Sequence, residues 1–328
     1  GFQNLSYVNK FGVSSNRKMN KVSGFHNLVK CGDLVISYND SLVNINAFSK
    51  LKYLKSLFLF RNDHLSELIA FQNLKSIAVD CQFSALGNLR LMSEMDSLEY
   101  VGGFLQFSNL KSLKTLPKFK SLKKVNDSFH ISECWNLSSV YAFNELKVVG
   151  GQFLLRNNIL LTSIDGFHKM DSCLSSFIID GGSKLQVING FENLRYIEND
   201  LTLISYDLES INGFQSLQEI KGDQNGDSTQ WLNFYLQTGK LKRINEFANL
   251  RKVRGIELSR NFELEDIRGF NNVDTSYIKY VKLSDNIKLS LCKSSFLCSY
   301  LENSSHEYYL SGNAPGCNTR EEILASCT

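Results

Sequence analysis

The chain has 328 residues, of which 43% are hydrophobic, and its formal net charge at pH 7 is +3. This length and apolar content allow a large core, while the near-balanced charge gives no electrostatic argument for nucleic acid or an anionic membrane. The sequence contains no run of about 18 apolar residues, so it predicts no transmembrane helix. No signal peptide is visible, and because Gly1-Phe2 already fits a repeat, we expect a processed or trimmed start.

A repeat of 23 or 24 residues begins with these first residues. Its anchor is Phe, or once Met, and one interval of 33 interrupts the spacing. Apolar residues recur three and six positions before the anchor and three after it, and none of these columns contains a charge. A fixed period of this length predicts a solenoid. The anchors are Phe2, Phe25, Phe48, Phe71, Met95, Phe119, Phe143, Phe167, Phe191, Phe214, Phe247 and Phe270.

Each coil of the repeat contains a short alternating stretch, such as Leu201-x-Leu203, that predicts a strand with one face inward. A polar turn residue follows, often Asn, which tolerates the left-handed conformation and bonds to neighbouring backbone. The anchor Phe is expected to stack in an internal column, after Gly or Ala where the backbone turns tightly. The predicted turn residues are Asn16, Asn39, Asn62, Asn109, Asn157 and Asn261.

The pattern L-x-x-I-x-G-F-x-x-L, followed by two apolar residues one apart and an Asn turn, resembles the receptor L domain. This leucine-rich, right-handed β-helical module occurs in insulin- and EGF-type receptor ectodomains and in bacterial surface proteins. The tail, LCKSSFLCSYL followed by GNAPGCNTREEILASC, resembles the bacterial version. The resemblance implies an all-β, LRR-like solenoid that binds a partner on an exposed sheet or edge, without catalytic residues. No Cys-rich module separates two L domains, which argues against a growth-factor-receptor role.

The expected organisation is a solenoid over residues 1–290, with an insertion at about 221–240, and a Cys-rich C-terminal cap over 291–328. The cap holds Cys292, Cys298, Cys317 and Cys327, which allow three pairings. We favour Cys292–Cys317 with Cys298–Cys327, which would close the end of the solenoid and place the protein outside a reducing cytosol. Zinc is the alternative, although no C-x-x-C pair is present.

The other four cysteines lie within the repeats. Cys31, Cys81 and Cys173 occupy predicted inward positions and are expected to be buried free thiols that act as small hydrophobic residues. Cys134 falls in a turn, where the pattern assigns it no role.

Two columns of outward strand positions should carry the function. Their neighbours of opposite charge, Arg156 with Asp180 and Glu257 with Lys282, are interpreted as cross-strand ion pairs. A carbohydrate-cleaving site is less favoured, because Asp180 and Glu257 are several coils apart. The first column is Val35, Phe58, Gln82, Gln106, His130, Leu154, Ile178, Thr202, Tyr235, Glu257 and Lys282, and the second is Ser37, Phe60, Ser84, Ser108, Ser132, Arg156, Asp180, Ile204, Gln237, Ser259 and Ser284.

Apolar residues form two groups in these columns. The first group is Val35, Phe58 and Phe60, and the second is Leu154, Ile178 and Ile204, near Tyr235. Either a loop or an edge covers them, or they form a partner-binding face, since contiguous exposed apolar surface usually marks interaction.

The 33-residue interval contains the insertion KGDQNGDSTQWLNFYLQTGK. Insertions in repeat proteins map to one face, often the binding face. Asp223, Asn225 and Asp227 alternate as in a calcium loop, but Ser228 and Phe234 stand where an EF-hand needs Gly and Glu, so a plain polar turn is preferred. Trp231 is expected to pack the loop down or to present an aromatic face to a sugar or a protein.

These observations predict a non-enzymatic binding or adhesion protein, extracellular or at the cell surface, that recognises a protein or glycan ligand and needs no cofactor or metal. The alternatives are a β-helix polysaccharide lyase or hydrolase and an inert surface spacer. Nucleic acid is not an expected partner, and lipid or surface anchoring from outside these residues stays open.

Overall fold

A computed structural model describes residues 2–222 and 233–327. The chain divides into two compact units, unit 1 over residues 1–170 and unit 2 over residues 171–328. Neighbouring coils in each unit pair their strands in parallel, at sequence spacings that follow the repeat. Each unit is therefore a parallel β-solenoid, as the period predicts.

In its described residues, unit 1 consists of strands and turns. Its strands are β1 Tyr7–Ser14, β2 Lys21–Gly24, β3 Lys30–Ser37, β4 Asn44–Ala47, β5 Tyr53–Phe60, β6 Glu67–Ile69, β7 Ser76–Ile77, β8 Cys81–Ser84, β9 Leu91–Met92, β10 Tyr100–Val101, β11 Leu105–Ser108, β12 Lys124–Val125, β13 Phe129–Ser132, β14 Ser139–Val140, β15 Val148–Val149, β16 Phe153–Arg156 and β17 Ser163–Asp165.

Unit 2 adds helices to the same plan. Its strands are β18 Ser172–Cys173, β19 Phe177–Asp180, β20 Val187–Asn189, β21 Tyr196–Ile197, β22 Leu201–Ser205, β23 Ser210–Asn212, β24 Glu219–Ile220, β25 Phe234–Thr238, β26 Lys252–Val253, β27 Gly255–Ser259, β28 Tyr280–Ser284 and β29 Glu307–Ser311. Single 3-10 turns span Asn245–Phe247 and Arg268–Phe270, and the α-helices are α1 Ser295–Glu302 and α2 Arg320–Cys327. Both α-helices are far shorter than the ~20 residues that a membrane crossing requires, and no helix within residues 2–222 and 233–327 could span a membrane.

The main sheet of each unit is built from the alternating stretches. In unit 1 it begins with β1, β3 and β5, and continues through two-part strands, β7 with β8 and so on to β15 with β16. In unit 2 the ladder β19-β22-β25-β27-β28-β29 forms it, beside the ladder β18-β21-β24-β26. Smaller sheets on the second side of the coils are β2-β4-β6-β9 and β14-β17 in unit 1, and β20-β23 in unit 2.

The anchor phenylalanines stack inside the coils as predicted. Ring centroids are 5.8 Å apart for Phe48 and Phe71 and 5.5 Å apart for Phe191 and Phe214, with nearly parallel planes. The left-handed turn lies on the anchor itself in six coils, rather than only on the residue before it. Gly213 is needed for a different reason, because a Cβ there would lie 1.9 Å from the carbonyl oxygen of Gly190. The six left-handed anchors are Phe25, Phe48, Phe71, Phe167, Phe191 and Phe214.

Coil length varies mainly at one point in the repeat. Two residues separate Leu54 from Leu57 in β5, whereas three separate their paired residues Ile77 and Cys81 in the next coil. The extra residue of a 24-residue coil therefore lies between the short strand and the main strand. The 33-residue interval adds its residues at the same point, between Ile220 and Phe234.

The turn after the main strand uses two adjacent positions, which the sequence prediction merged into one. The first is left-handed, with φ between 50° and 62°, and Asn109 and Asn157 belong there. The second forms a ladder of Asn side chains: Asn39 Oδ1 accepts the N–H of Asn16 at 3.0 Å, and its Nδ2 donates to Val13 O at 3.1 Å. The remaining ladder residues are Asn62, Asn158, Asn261, Asn286 and Asn313.

Cys134 takes a ladder position, which explains why the strand pattern left it unplaced. It is fully buried, and its backbone N–H donates to Asn158 Oδ1 at 3.0 Å. Cys31, Cys81, Cys134 and Cys173 are all buried free thiols. Burial raises the pKa of Cys31 to about 11 and that of Cys134 to about 12, so these thiols are protonated and unreactive.

The C-terminal residues form a cap with the favoured disulfides. Cys292 pairs with Cys317 and Cys298 with Cys327, at Cα–Cα distances of 5.6 and 5.8 Å. Strand β29 pairs in parallel with β28, so the main sheet continues into the cap. Helix α1 buries Phe296, Leu297, Tyr300 and Leu301 in this cap.

Candidate binding surfaces

The first predicted apolar group lies on the outer face of the main sheet of unit 1. Val35 aligns with Phe58, and Ser37 aligns with Phe60, in the pairing of β3 with β5. Their neighbours Leu57 and Leu59 point into the core and are buried, so Phe58 and Phe60 point outward. Val35, Phe58 and Phe60 are each partly exposed, which is ordinary for side chains that shield one another on a sheet.

Two turn residues extend this group. Tyr38 is 44% exposed and meets the ring of Phe60 edge to face at 5.5 Å. The guanidinium of Arg61 lies 5.4 Å from the centre of the Tyr38 ring. We call Val35, Tyr38, Phe58, Phe60 and Arg61 the aromatic cluster. The outward strand columns did not reveal Tyr38 and Arg61, because both occupy the left-handed turn position.

The second predicted group is not one patch within a unit. Leu154 belongs to unit 1, where it aligns with His130. In unit 2, Ile178 aligns with Thr202, and Thr202 with Tyr235. Ile204 lies in the next column, so it is diagonal to Ile178 rather than opposite it. These side chains are partly exposed, with polar neighbours between them.

Polar contacts dominate the outer face of unit 2. Tyr235 Oη donates to Gln237 Oε1 at 2.6 Å, and Gln237 Nε2 donates to the exposed Tyr206 at 3.0 Å. Burial first, and then Glu257, raises the pKa of Tyr235, so its hydroxyl stays protonated. Glu257 forms the predicted ion pair with Lys282 at 2.9 Å. Tyr235 is therefore held by its neighbours instead of standing free.

No family model matches the chain. No curated protein matches it either. It is similar to a solved structure of a leucine-rich repeat protein from Bacteroides ovatus ATCC 8483, with 17% identity, a TM-score of 0.35 and coverage of 86% of this chain and 84% of that one. The description of this chain as a leucine-rich solenoid therefore rests on its own period and strand register.

A cleft of about 850 Å³ lies in unit 2, on the second side of the coils. Its lining includes Glu209, Glu246, Glu263 and Glu265. Burial raises the pKa of Glu246, and among the described residues its Oε2 has no hydrogen-bond partner. Glu246 stands directly before the anchor Phe247, where most coils have Gly or Ala.

The remaining predicted site residues lie outside the described ranges or belong to different units. Trp231 and the Asp223, Asn225 and Asp227 pattern lie outside the described residues. Arg156 and Asp180 belong to different units; Arg156 is exposed and Asp180 is half-buried. Within the described ranges, no group of three or more His, Cys, Asp or Glu side chains has the arrangement of a metal site.

Proposed function

We propose that this chain is a binding or adhesion protein of the extracellular space or cell surface, and that it recognises a protein or glycan ligand through the aromatic cluster without catalysis. The observation that carries this proposal is the cluster itself. Aromatic and Arg side chains supply most of the binding energy at protein interfaces. Here the Tyr38 ring contacts both the Phe60 ring and the Arg61 guanidinium, and Phe58 lies on the same outer face of the sheet.

The chemistry of the cluster favours a protein ligand over a glycan. Val35, Phe58 and Phe60 offer apolar surface and no hydrogen-bonding group, and only Arg61 and the Tyr38 hydroxyl can bind polar atoms. Sugar hydroxyls need several such partners, whereas an apolar side chain of a protein does not. An inert spacer would have no use for a partly exposed cluster of this kind.

An extracellular location fits the cap. Both disulfides lie within the 36 residues from Cys292 to Cys327, and disulfides persist in oxidising compartments. The resemblance to receptor L domains, which carry out extracellular recognition, supports the same assignment.

The test starts with the folded chain immobilised against a panel of extracellular proteins and a glycan array. A double variant, Phe58→Ser with Phe60→Ser, should then weaken the binding of any ligand found by about thirtyfold or more, since each lost aromatic anchor costs about 1–2 kcal/mol. Unchanged affinity in this variant would remove the aromatic cluster from the proposal.

The matched control is Val43→Ser with Leu91→Ser. These apolar residues are 45% and 50% exposed, and both belong to unit 1, but they lie on the second side of the coils. The control should keep wild-type affinity. An equal loss in both variants would indicate a general effect of surface hydrophobicity instead of a local site.

Glu246 favours a second candidate, a polysaccharide hydrolase in the unit 2 cleft. Glycoside hydrolysis uses a protonated carboxyl as acid and an ionised carboxylate as nucleophile or base. Glu246 has the raised pKa of such an acid, and Glu209 and Glu265 line the same cleft. Reducing-end release from a panel of polysaccharides, abolished by Glu246→Gln, would replace the binding proposal; no release would leave Glu246 as a structural residue.

A further inference from the structure

The two units differ sharply in charge, which the chain's net charge of +3 conceals. Unit 1 contains 20 Lys and Arg residues against 12 Asp and Glu, a formal charge of +8. Unit 2 contains 16 against 21, a formal charge of −5. The excess positive charge of unit 1 is not spread evenly, because two adjacent columns collect much of it.

The first column consists of the first residues of β1, β3, β5, β7, β10, β12 and β15. Its residues align coil by coil as Tyr7, Lys30, Tyr53, Ser76, Tyr100, Lys124 and Val148. Tyr7, Tyr53 and Tyr100 are 50%, 44% and 37% exposed, and they recur on every second coil. At about 4.8 Å per coil, neighbouring tyrosines are about 10 Å apart along the stacking direction.

The second column is the residue just before the first. Backbone hydrogen bonds of 2.8–3.0 Å join its members from coil to coil as Val29, Lys52, Lys75, Glu99, Lys123 and Lys147. All four of its lysines are exposed. Among the described residues, no carboxylate lies within 4.0 Å of Lys52, Lys75, Lys123 or Lys147.

We call Tyr7, Lys30, Lys52, Tyr53, Lys75, Tyr100, Lys123, Lys124 and Lys147 the lysine edge. It spans seven coils, about 29 Å, and a single acidic residue, Glu99, interrupts its two columns. A cleft of about 770 Å³ opens at its first coils, lined by Tyr7, Lys30 and Tyr53 among others. The aromatic cluster lies further along the same strands, β3 and β5, and in the turns after them, so the two surfaces share no residue.

We propose that the lysine edge binds an acidic polysaccharide, with the chain running along the stacking direction of the coils. A row of unpaired ammonium groups is complementary to a row of carboxylate or sulfate groups. Tyrosine rings at two-coil spacing can stack on sugar rings of successive disaccharide units, since aromatic faces and the C–H faces of sugars pack well. A neutral ligand would not use the lysines, and a purely electrostatic surface would not need the tyrosines.

The experiment measures binding of the whole chain to immobilised heparin, to polygalacturonate and to neutral dextran at several salt concentrations. Binding to at least one of the two acidic polymers, absent for dextran and weaker at high salt, is the expected result. The sulfated and carboxylated probes show which acid group is preferred. Failure to bind either acidic polymer would overturn the proposal.

The decisive variant is Lys75→Glu, Lys123→Glu and Lys147→Glu together. Its matched control, Lys18→Glu, Lys21→Glu and Lys114→Glu, changes the charge of unit 1 equally with exposed lysines off the edge. The edge variant should lose about tenfold or more in affinity, since exposed charge contacts contribute up to about 1 kcal/mol each, and the control much less. Equal losses would show that net charge, and not this edge, governs binding.

A double variant and a DNA probe distinguish a polysaccharide ligand from other polyanions. Tyr53→Ala with Tyr100→Ala should weaken polysaccharide binding severalfold while leaving its salt dependence unchanged. Tighter binding of a 30-nucleotide single-stranded DNA than of either acidic polysaccharide at equal salt would overturn the assignment to polysaccharide. The Phe58→Ser/Phe60→Ser variant should retain full polysaccharide binding, so this proposal and the proposed function fail independently.

Discussion

The coil positions that form the lysine edge in unit 1 have the same backbone pairing in unit 2, but the charged side chains at these positions are used differently. In unit 2, Arg195 pairs with Asp171 at 3.8 Å and Lys252 with Glu219 at 3.7 Å. Among the described residues of unit 1, the lysines at the equivalent positions, Lys52, Lys75, Lys123 and Lys147, lack such partners. Because hydrogen bonds and core packing between coils do not depend on these outward positions, one repeat can use them for internal ion pairs and another can leave them for a ligand.

The two units also differ in their disulfides and in the continuity of the Asn ladder. Each unit has a run of three ladder residues, Asn16, Asn39 and Asn62 in unit 1 and Asn261, Asn286 and Asn313 in unit 2, but both disulfides lie in unit 2. In unit 1, buried Leu86 and Leu110 stand at the ladder position. Disulfide stabilisation is therefore a feature of unit 2, while the middle coils of unit 1 replace the ladder with apolar packing. Four measurements can sharpen or break this contrast.

Reducing both disulfides should give the largest change, and only in unit 2. Each closes a loop of 25 or 29 residues and should contribute about 3 kcal/mol, mainly by restricting the unfolded chain. Hydrogen exchange should rise in peptides covering 295–311 and stay constant in peptides covering 30–60. The same rise in both would contradict the contrast.

Breaking the ladder in unit 2 should come next. Asn261 Oδ1 accepts the N–H of Thr238 at 2.8 Å, and its Nδ2 donates to Leu236 O at 3.0 Å. Asn261→Leu leaves both buried groups unpaired and should cost about 3 kcal/mol in urea unfolding. The exposed Asn88→Leu serves as control. A cost below about 1 kcal/mol would mean that Leu86 and Leu110 are no handicap to unit 1.

The buried carboxylate of Asp266 should have a smaller, pH-dependent effect. Arg268 donates to it through its backbone N–H at 2.9 Å and through its guanidinium, which lowers the pKa of Asp266. Asp266→Asn should cost about 2 kcal/mol near neutral pH. Because the folded pKa is depressed, this stabilisation is complete above the usual pKa of 3.8 and is lost as pH falls through the lowered value. The difference between wild type and variant should therefore shrink as the pH falls below about 3.8; a constant difference would argue against the ion pair.

The ion pair beside the lysine edge should matter least. Lys55 and Asp33 are 3.5 Å apart, with side chains 61% and 35% exposed. Asp33→Asn should change the free energy of unfolding by less than about 0.5 kcal/mol, because water and ions screen an exposed pair. A loss above 1 kcal/mol would place structural ion pairing in unit 1 as well.

The sequence predicted the features that recur in every coil and missed several that vary from coil to coil. The Phe column was predicted correctly because a residue that recurs in almost every coil must occupy the same place in each. The disulfide pairs were predicted correctly because four cysteines in a short tail allow only three pairings. The turn was misassigned at Asn109 and Asn157, since Asn suits both the left-handed residue and the ladder residue beside it. Cys134 was unplaced for the same reason, because it replaces Asn in the ladder.

The candidate surfaces were predicted only in part. Phe58 and Phe60 follow from strand alternation, but Tyr38 and Arg61 needed the turn geometry that brings position 38 beside position 60. The lysine edge was missed because summing charge over the chain cancels two opposite units. Counting charge by coil position would have shown it from the sequence.

The point between the short and main strands, where coil length varies, makes this scaffold open to grafting. One residue is added there in the 24-residue coils, and thirteen residues separate Ile220 from Phe234 while the flanking strands keep their register. A recognition loop transplanted between Leu54 and Leu57 would enter the chain next to Tyr53 and the lysine edge. New binding specificities could thus be acquired coil by coil, without redesign of the folded interior.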